Sequence, residues 1–461
     1  MKRIVPFVTI AALAGCAGPR PEPPAAAAVQ PPPAWRNALD GEAIVAHGWW
    51  RGFGDPVLTR IVETALANNM DIAIAASRVE EARAQFRFAE GQRLPSLVAA
   101  AAGSEQRSVN AFGIGTNQTV GQAQLSAAYD LDLFGRLSSV SAAARASLLA
   151  TEAARDTIRL AIASSAASGY ILLRSLDARL VLLRDTLAAR AESLHIARRR
   201  AEAGYSTRLE LQQAEAEYHA TEQLIPSVEL AISRQEDGLR LLLGESPGAI
   251  ERGTAFAMLR PLPVPSALPS AMLRRRPDIA QAEQQLVAAD RSLDAARAAF
   301  MPGIQLTASG GYVASTLLSD PIGIFSLGGS ILAPLFQGGR LHAQADAASA
   351  RRDQAAIAYR RAALTAFREV EDALAAVRRT AEQEHALAAQ REALAGALRL
   401  ATNRYQAGYS PYLDQLDAQR GLLAAELALV QSRADRLTAL ISLYQSLGGG
   451  WDAAPTHGAP G

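Results

Sequence analysis

Cysteine, lysine and aromatic residues are all scarce in this chain. Its 461 residues include one cysteine, Cys16, and aromatics make up 5% of the total. A lone thiol cannot form an internal disulfide. Lysine occurs once, at Lys2, so the other basic residues are all arginine. A phosphate-cradling GxxxxGK[ST] loop needs a lysine and therefore has no place after residue 2. No HExxH or CxxC motif is present either. The six histidines (His47, His195, His219, His342, His385, His457) are widely scattered, and each fits a solvated helix or loop position better than a ligand set. Lys+Arg number 46 against 45 Asp+Glu, a formal net charge of +1, which leaves no electrostatic footprint for nucleic acid. The carboxylates lie among arginines, as on salt-bridged helix surfaces. The sequence thus gives no support for an enzyme, a metal site or a bound cofactor. Beyond the N-terminal segment there is also no run of about 18 uncharged apolar residues that could cross a bilayer as a helix.

Apolar residues nonetheless make up 49% of the chain, mostly alanine and leucine, a helix-favouring bias. The N-terminus, "MKRIVPFVTIAALAGC", places Lys2 and Arg3 before an apolar stretch from Ile4 to Leu13, interrupted by Pro6. That is the layout of an export signal, too short to span a bilayer. "LAGC" closes it and looks like a bacterial lipobox, so residues 1–15 are expected to be a lipoprotein signal peptide and Cys16 the lipidated residue. Ala17 after the cysteine, rather than Asp, resembles the pattern that directs such lipoproteins to the outer membrane. "GPRPEPPAAAAVQPPPAW" follows, a proline-rich stretch suited to a semi-rigid tether, here assigned to 16–54.

The rest of the chain is written twice. "AGYS" occurs at Ala203–Ser206 and again at Ala407–Ser410. Arg136 precedes Ala203 by 67 positions, and Arg340 precedes Ala407 by 67. Gly244 follows the first by 41 and Gly448 the second by 41. Asp71-Ile72-Ala73 stands 24 residues before Pro95, and Asp278-Ile279-Ala280 stands 24 before Pro302. The halves are placed at 55–250 and 271–450, with a linker or equatorial segment at 251–270 and a C-terminal tail at 451–461. Each opens with a helical run (Pro56–Arg93, then Pro277–Phe300), continues with two strand-like segments, and ends in a long helical hairpin. Between Ile158 and Leu194 the positions Ile158, Ile162, Ser165, Gly169, Leu172, Leu176, Leu180, Leu183, Leu187 and Leu194 follow a coiled-coil-like spacing. A helix of 67 residues is about 100 Å long, more than a compact domain needs. Gly204 and Gly408 suit left-handed helix C-caps, Thr207 or Ser206 can cap the returning helix, and Pro411 suits its first turn.

The strand segments alternate. Thr119, Gly121, Ala123, Leu125, Ala127, Tyr129, Leu131 and Leu133 oppose Gln118, Gln122, Gln124, Ser126, Asp130 and Asp132. Ile304, Leu306, Ala308 and Tyr312 oppose Gln305, Thr307, Ser309 and Ser315, and Phe325, Leu327, Ile331 and Ala333 oppose Ser326 and Ser330. The first strand, near Leu97–Arg107, carries alanine on both faces. Such alternation fits a membrane β-barrel or a half-buried sheet, and the export signal favours the barrel. Four strands cannot close alone, because about eight are needed and lipid tolerates no open edge. An oligomer is expected.

These residues resemble the TolC-like outer-membrane factors, in particular the NodT/OprM-like lipoprotein branch. The resemblance is carried by "YDLDLFGR" (Tyr129–Arg136), by Leu273–Leu306, by "LAPLFQGGR" (Leu332–Arg340), by "AFREVEDAL" (Ala366–Leu374) and by "YLDQLDAQR" (Tyr412–Arg420). It implies an α+β membrane protein in which three chains of four strands each complete a 12-stranded outer-membrane β-barrel above a periplasmic α-barrel of long antiparallel helices with an equatorial region. It implies a homotrimer in the outer-membrane lipid, acting as the passive exit duct of a tripartite efflux system with a periplasmic adaptor and an inner-membrane pump of the resistance-nodulation-division (RND) type. The AGYS tips become the periplasmic end, with Gly204 and Gly408 touching the adaptor. Leu413, Asp417 and Arg420 match the family's constriction residues: Leu413 would plug, and Asp417 and Arg420 would tie neighbouring coils. Glu210 takes the place of an acidic gate residue and Tyr405 that of a tip tyrosine, whereas Ser410 departs from the arginine that some relatives carry. The rival reading is a coiled-coil lipoprotein that tethers envelope layers without conducting, but it leaves the four alternating strands and the turn-like "SVNAFGIGTN" and "LLSDPIG" without a role.

Overall fold

The computed structural model describes residues 20–22, 24–39, 45–109, 111–265 and 269–451. The leader, Cys16 and residues 452–461 of the tail lie outside the described residues.

Capping residues set the first boundaries. Asp55 accepts hydrogen bonds from the Val57 and Leu58 amides at 2.8 and 3.2 Å, and Pro56 fills the first position of α1 (Pro56–Asn68). The single run expected from Pro56 to Arg93 is broken at Asn69, which leaves the helical region at ψ 132°. Its side chain accepts from the Asp71 and Ile72 amides and so starts α2 (Met70–Gly91). Then come β1 (Ser96–Val109), β2 (Gly115–Leu131), α3 (Arg136–Glu202), α4 (Arg208–Glu222) and α5 (Leu224–Leu242). The second half holds α6 (Pro269–Met272), α7 (Pro277–Ala298), β3 (Gly303–Ser315), β4 (Ile322–Leu332), α8 (Arg340–Gln406) and α9 (Tyr412–Ser446). Helices α3 and α8 each run 67 residues, about 100 Å at 1.5 Å per residue. No helix among the described residues is long and apolar enough to cross a membrane.

The duplication extends to single hydrogen bonds. After α3, the Gly204 amide reaches Ala201 O and the Tyr205 amide reaches Arg200 O; after α8, Gly408 reaches Tyr405 O and Tyr409 reaches Arg404 O. Both glycines sit at φ 77°, so each tip is closed by the same left-handed cap. Asn69 donates to Leu242 O and Arg276 donates to Ser446 O, residues that correspond in the two halves. The halves differ where α9 is continuous but α4 and α5 are separate helices: Pro226, near the start of α5, cannot donate to a continuing helix and its ring would crowd the preceding turn. Pro411 differs from expectation too, standing at the N-cap of α9 rather than in its first turn. Thr207 caps α4, accepting from the Glu210 amide at 3.3 Å.

The chain divides into two compact units. The first, from Ser77–Glu152 and Gln281–Arg361 with the described part of Met1–Ala28, contains the sheet. Its strands run in the order β1-β2-β3-β4, all antiparallel, with Ala99 opposite Leu125, Ala127 opposite Ala308 and Ala308 opposite Leu327. The proline-rich segment lies against α8 here: buried Arg352 donates to Pro21 O and Glu22 O at 2.6 and 3.0 Å, and Arg360 donates to Ala26 O.

The second unit, from the described parts of Val29–Ala76, Ala153–Ala280 and Ala362–Gly461, is built of packed helices. In it Glu371 accepts from the Arg36 and Asn37 amides and Trp35 meets Phe367 edge-on at 6.2 Å. As far as it is described, the expected tether is strapped down by backbone hydrogen bonds, which proline-rich chain can still accept through its carbonyls. The core knot of this unit is Asp55, whose second oxygen accepts from the Thr254 amide at 3.0 Å and the Tyr170 hydroxyl at 3.2 Å. Burial, with the charge of Asp55 beside it, pushes the Tyr170 pKa up to about 12. The expected coiled-coil seam holds at Ile162 and Leu183, but Ser165 and Leu172 face outward while Ala166, Ala167, Tyr170 and Ile171 are buried. Around Tyr170, packing against the Asp55 knot decides which face turns inward.

Candidate functional site

Two features stand out, one in each unit. On the sheet, parity sorts the side chains as the alternation requires. Leu97, Leu125, Leu306, Tyr312, Phe325, Leu327 and Ile331 share one face, and it is bare: Phe325 and Leu327 are 89% and 85% exposed. The other face is knitted by polar contacts. Gln305 donates to Asp130 at 3.0 Å, Ser309 and Ser326 lie 2.9 Å apart, and Gln118 donates to Ser315 at 3.2 Å. Among the described residues, the outer edges of β1 and β4 have no pairing strand. An apolar face left uncovered and open edges are unstable in water on both counts, but they suit lipid on one side, water on the other, and further strands at each end.

The second feature is the pair of helix tips. Tyr412 and Leu416 of α9 pack with Ala197 and Ala214 in a small apolar core, flanked by Leu194 and Tyr405. The Tyr405 ring lies 5.4 Å from that of Tyr412, and the Arg200 guanidinium sits 5.2 Å over Tyr405. Burial raises the Tyr412 pKa. Leu413, Asp417 and Arg420 follow one another at i, i+4 and i+7 and so form a stripe along α9. Leu413 is 46% exposed, and the side chains of Asp417 and Arg420 are 66% and 53% exposed. The Asp417–Arg420 separation is 3.7 Å. Glu210 lies in the first turn of α4, where a carboxylate is favoured by the helix dipole, and it pairs with no cation among the described residues. Gly204 and Gly408 have open space where a Cβ would be.

The short contact at these tips is one that sequence reasoning missed. Arg420 donates through Nε and Nη2 to Glu217 Oε1, at 2.7 and 2.5 Å. Glu217, on α4, is buried, and its Oε2 lies 2.7 Å from buried Arg190 of α3. Arg190 also donates to Glu217 O at 2.8 Å and to Thr221 Oγ1 at 2.6 Å. Burial pulls the Arg190 guanidinium below its ordinary pKa, against the pull of Glu217; the bonds to Glu217 raise that of Arg420. A signal was available: continuing the seam from Leu183 and Leu187 puts Arg190 at the next position before Leu194, and a charge on a seam needs a partner.

Comparison with known proteins agrees with these features. Residues 61–245 and 268–449 match the family model for outer membrane efflux proteins, one segment in each half. The chain is 36% identical over 413 residues to the solvent efflux pump outer membrane protein SrpC of Pseudomonas putida, covering 87% of each chain. It is 34% identical over 460 residues to the cation efflux system protein CusC of Escherichia coli, covering 97% of this chain and 99% of that one. The solved open state of the Neisseria gonorrhoeae MtrE outer membrane channel superposes with a TM-score of 0.83 at 31% identity, over 94% of this chain and 98% of that one. The bare apolar sheet, the long duplicated hairpins and these matches give one answer: the chain belongs to the outer membrane efflux protein family and is an outer-membrane exit duct of an efflux system.

Proposed function

We propose that three copies of this chain form the duct, each lending its four-stranded sheet to one barrel by pairing β1 of one protomer with β4 of the next. Substrate reaches it from a periplasmic adaptor and an inner-membrane pump of the RND type, and a lipid on Cys16 anchors each chain. Relatives of similar identity carry solvent and cation names, so the cargo is set by those partners rather than by this chain. The tips close the duct at rest. Leu413 narrows the opening, Asp417 and Arg420 hold neighbouring coils, and Glu210 and Tyr405 support them, while Gly204 and Gly408 meet the adaptor.

The observation that carries the gate is the α9 stripe: an exposed leucine, a carboxylate and a guanidinium on one face at the extreme end of the long hairpins. An apolar side chain left half bare beside two charges is expected where several copies converge. Conductance in a planar bilayer tests this. The wild type should conduct poorly, and Asp417→Ala/Arg420→Ala should conduct several-fold more. A freely conducting wild type unchanged by the substitutions removes the gate but keeps the duct, and no conductance from confirmed trimers returns the tether reading.

A further inference from the structure

Three of the chain's four tryptophans, Trp49, Trp50 and Trp451, line one cavity of about 430 Å³ in the second unit, a volume typical of small-molecule sites. It forms where the short helical turn Trp49–Phe53 and the chain after α9 meet α3. Gly448, Gly449 and Gly450 all stand at positive φ and turn the chain so that Trp451 Nε1 donates to Asp156 Oδ2 at 3.0 Å. The first half has Glu245, Ser246 and Pro247 at the corresponding places, so the duplication does not call for this arrangement. Trp49 and Trp50 meet edge-on at 5.7 Å, and His47 lies edge-on to Trp50 at 6.3 Å. The two rings are 5% and 6% exposed, and neither indole N–H has an acceptor among the described residues. A buried indole N–H normally finds one, as that of Trp451 does. The cavity also holds a cation without a counter-charge. Half-buried Arg159 stands three residues after Asp156 on α3, at the spacing of an ion pair, yet it makes no ion pair or hydrogen bond among the described residues. Asp156 is already engaged, because Arg155 donates to its Oδ1 through Nε and Nη2 at 2.9 and 2.7 Å and Trp451 donates to its Oδ2. Arg155 and Asp156 cancel. Arg159 is left as the net charge of the cavity, and His47 can only add to it.

We propose that this cavity is a binding site for an organic anion, a carboxylate carried on an apolar ring or chain. The carboxylate accepts from Arg159, a charge-assisted contact, and from the indole donors that lack an acceptor, while the tryptophan rings cover the apolar body. An inorganic anion leaves those rings uncovered, and a neutral apolar molecule leaves Arg159 and two donors unanswered, so the ligand needs both parts. The walls come from residues 45–53 and 448–451 as well as from α3, so an occupant ties the two ends of the described chain together and stabilises the folded state by mass action. The assignment does not depend on the gate at the tips.

The test uses the full-length protein in a nonionic detergent and two probes of the same shape, cyclohexanecarboxylate and cyclohexanecarboxamide. Tryptophan emission reads binding, because three of the four emitters line the cavity and neither probe absorbs with them; calorimetry supplies the affinities independently. The carboxylate should change the emission saturably, and the amide should bind about tenfold more weakly through loss of the charge-assisted contact. Arg159→Gln should weaken the carboxylate by about the same factor and leave the amide unchanged, while Arg159→Lys should keep part of the preference. Trp50→Phe, which retains a ring but removes an N–H, should also weaken the carboxylate. Should Arg159→Gln fail to assemble, the acid–amide comparison on the wild type and the Trp50→Phe variant decide. Equal binding of acid and amide, or wild-type affinity for the acid in Arg159→Gln, makes the cavity an apolar crevice and overturns the proposal. So does the absence of any saturable change in the wild type, which means that the assembled protein takes no such ligand there.

Discussion

Two glycines that end long helices in this chain sit in different surroundings, and their substitution should separate backbone strain from steric collision. Gly204 ends α3 at φ 77° with nothing within 4 Å of an added Cβ. Gly448 follows α9 at φ 93°, and an added Cβ would lie 1.8 Å from Arg275 O, a backbone atom. For Gly204→Ala the cost is the left-handed conformation alone, about 1–2 kcal/mol. Reduced freedom of the unfolded chain offsets about 0.4–1 kcal/mol of it, leaving a net loss near 1 kcal/mol. For Gly448→Ala the same strain applies, and the collision cannot be relieved by a rotamer change. Arg275 donates to Met272 O, and its neighbour Arg276 is held by Asp278, Glu369 and Ser446 O, so the backbone there has little room to retreat. Overpacking costs about 1–3 kcal/mol, so with the net strain the total should reach about 2–4 kcal/mol. Unfolding of a membrane oligomer is commonly irreversible, so the assay compares inactivation half-lives and folded yield in one detergent at one temperature. Gly204→Ala should assemble normally with a modestly shorter half-life, whereas Gly448→Ala should accumulate little folded protein. Equal behaviour of the two variants would refute the argument.

Asp55→Ala should cost about 3–5 kcal/mol, because it leaves the Val57, Leu58 and Thr254 amides and the Tyr170 hydroxyl without their buried acceptor; half-life in detergent measures it, and a value near wild type argues against the knot. Partial burial of Glu236 raises its pKa, but the Arg252 side chain and the Ile250 amide outweigh that and hold it below the usual carboxylate value. Its folded pKa is depressed, so its contribution is present above the ordinary glutamate range and is lost as pH falls through the folded value; Glu236→Gln should flatten the acid side of a stability–pH profile, and an unchanged acid limb would remove Glu236 from it. Leu327→Arg, on the bare sheet face, should lose about 2–4 kcal/mol and insert poorly into vesicles, whereas Ser326→Arg on the opposite face should insert normally and change single-channel conductance. Equal insertion of both would mean that the faces are reversed or not in lipid.

The sequence carries the duplication and the strand faces clearly because both are repetitive signals. A 67-residue spacing seen twice, or a run such as Gln305, Thr307, Ser309 against Leu306 and Ala308, averages over many side chains and survives a local exception. Single-residue events are harder to read. The break at Asn69 depends on an amide that caps α2 and reaches Leu242 O at once, and that carbonyl is 173 positions away. Pro226 separates α4 from α5 with a local cause that is visible in the chain, yet the intact counterpart α9 hides it from any reading by symmetry. At the tips the stripe Leu413, Asp417, Arg420 is legible because helical spacing alone puts the three together. The partner of Arg420 is not, since Glu217 lies 203 positions away on a helix rich in glutamate, and no spacing rule selects it from Glu210, Glu215 and Glu222. Burial makes that selection: Glu215 and Glu222 answer to Arg198 and His219 near the surface, while Glu217 falls on the seam with Ala214 and Thr221, where Arg190 already needs a carboxylate. Two charges forced onto facing seams of one hairpin identify each other, and the exposed third charge, Arg420, reaches the pair from α9.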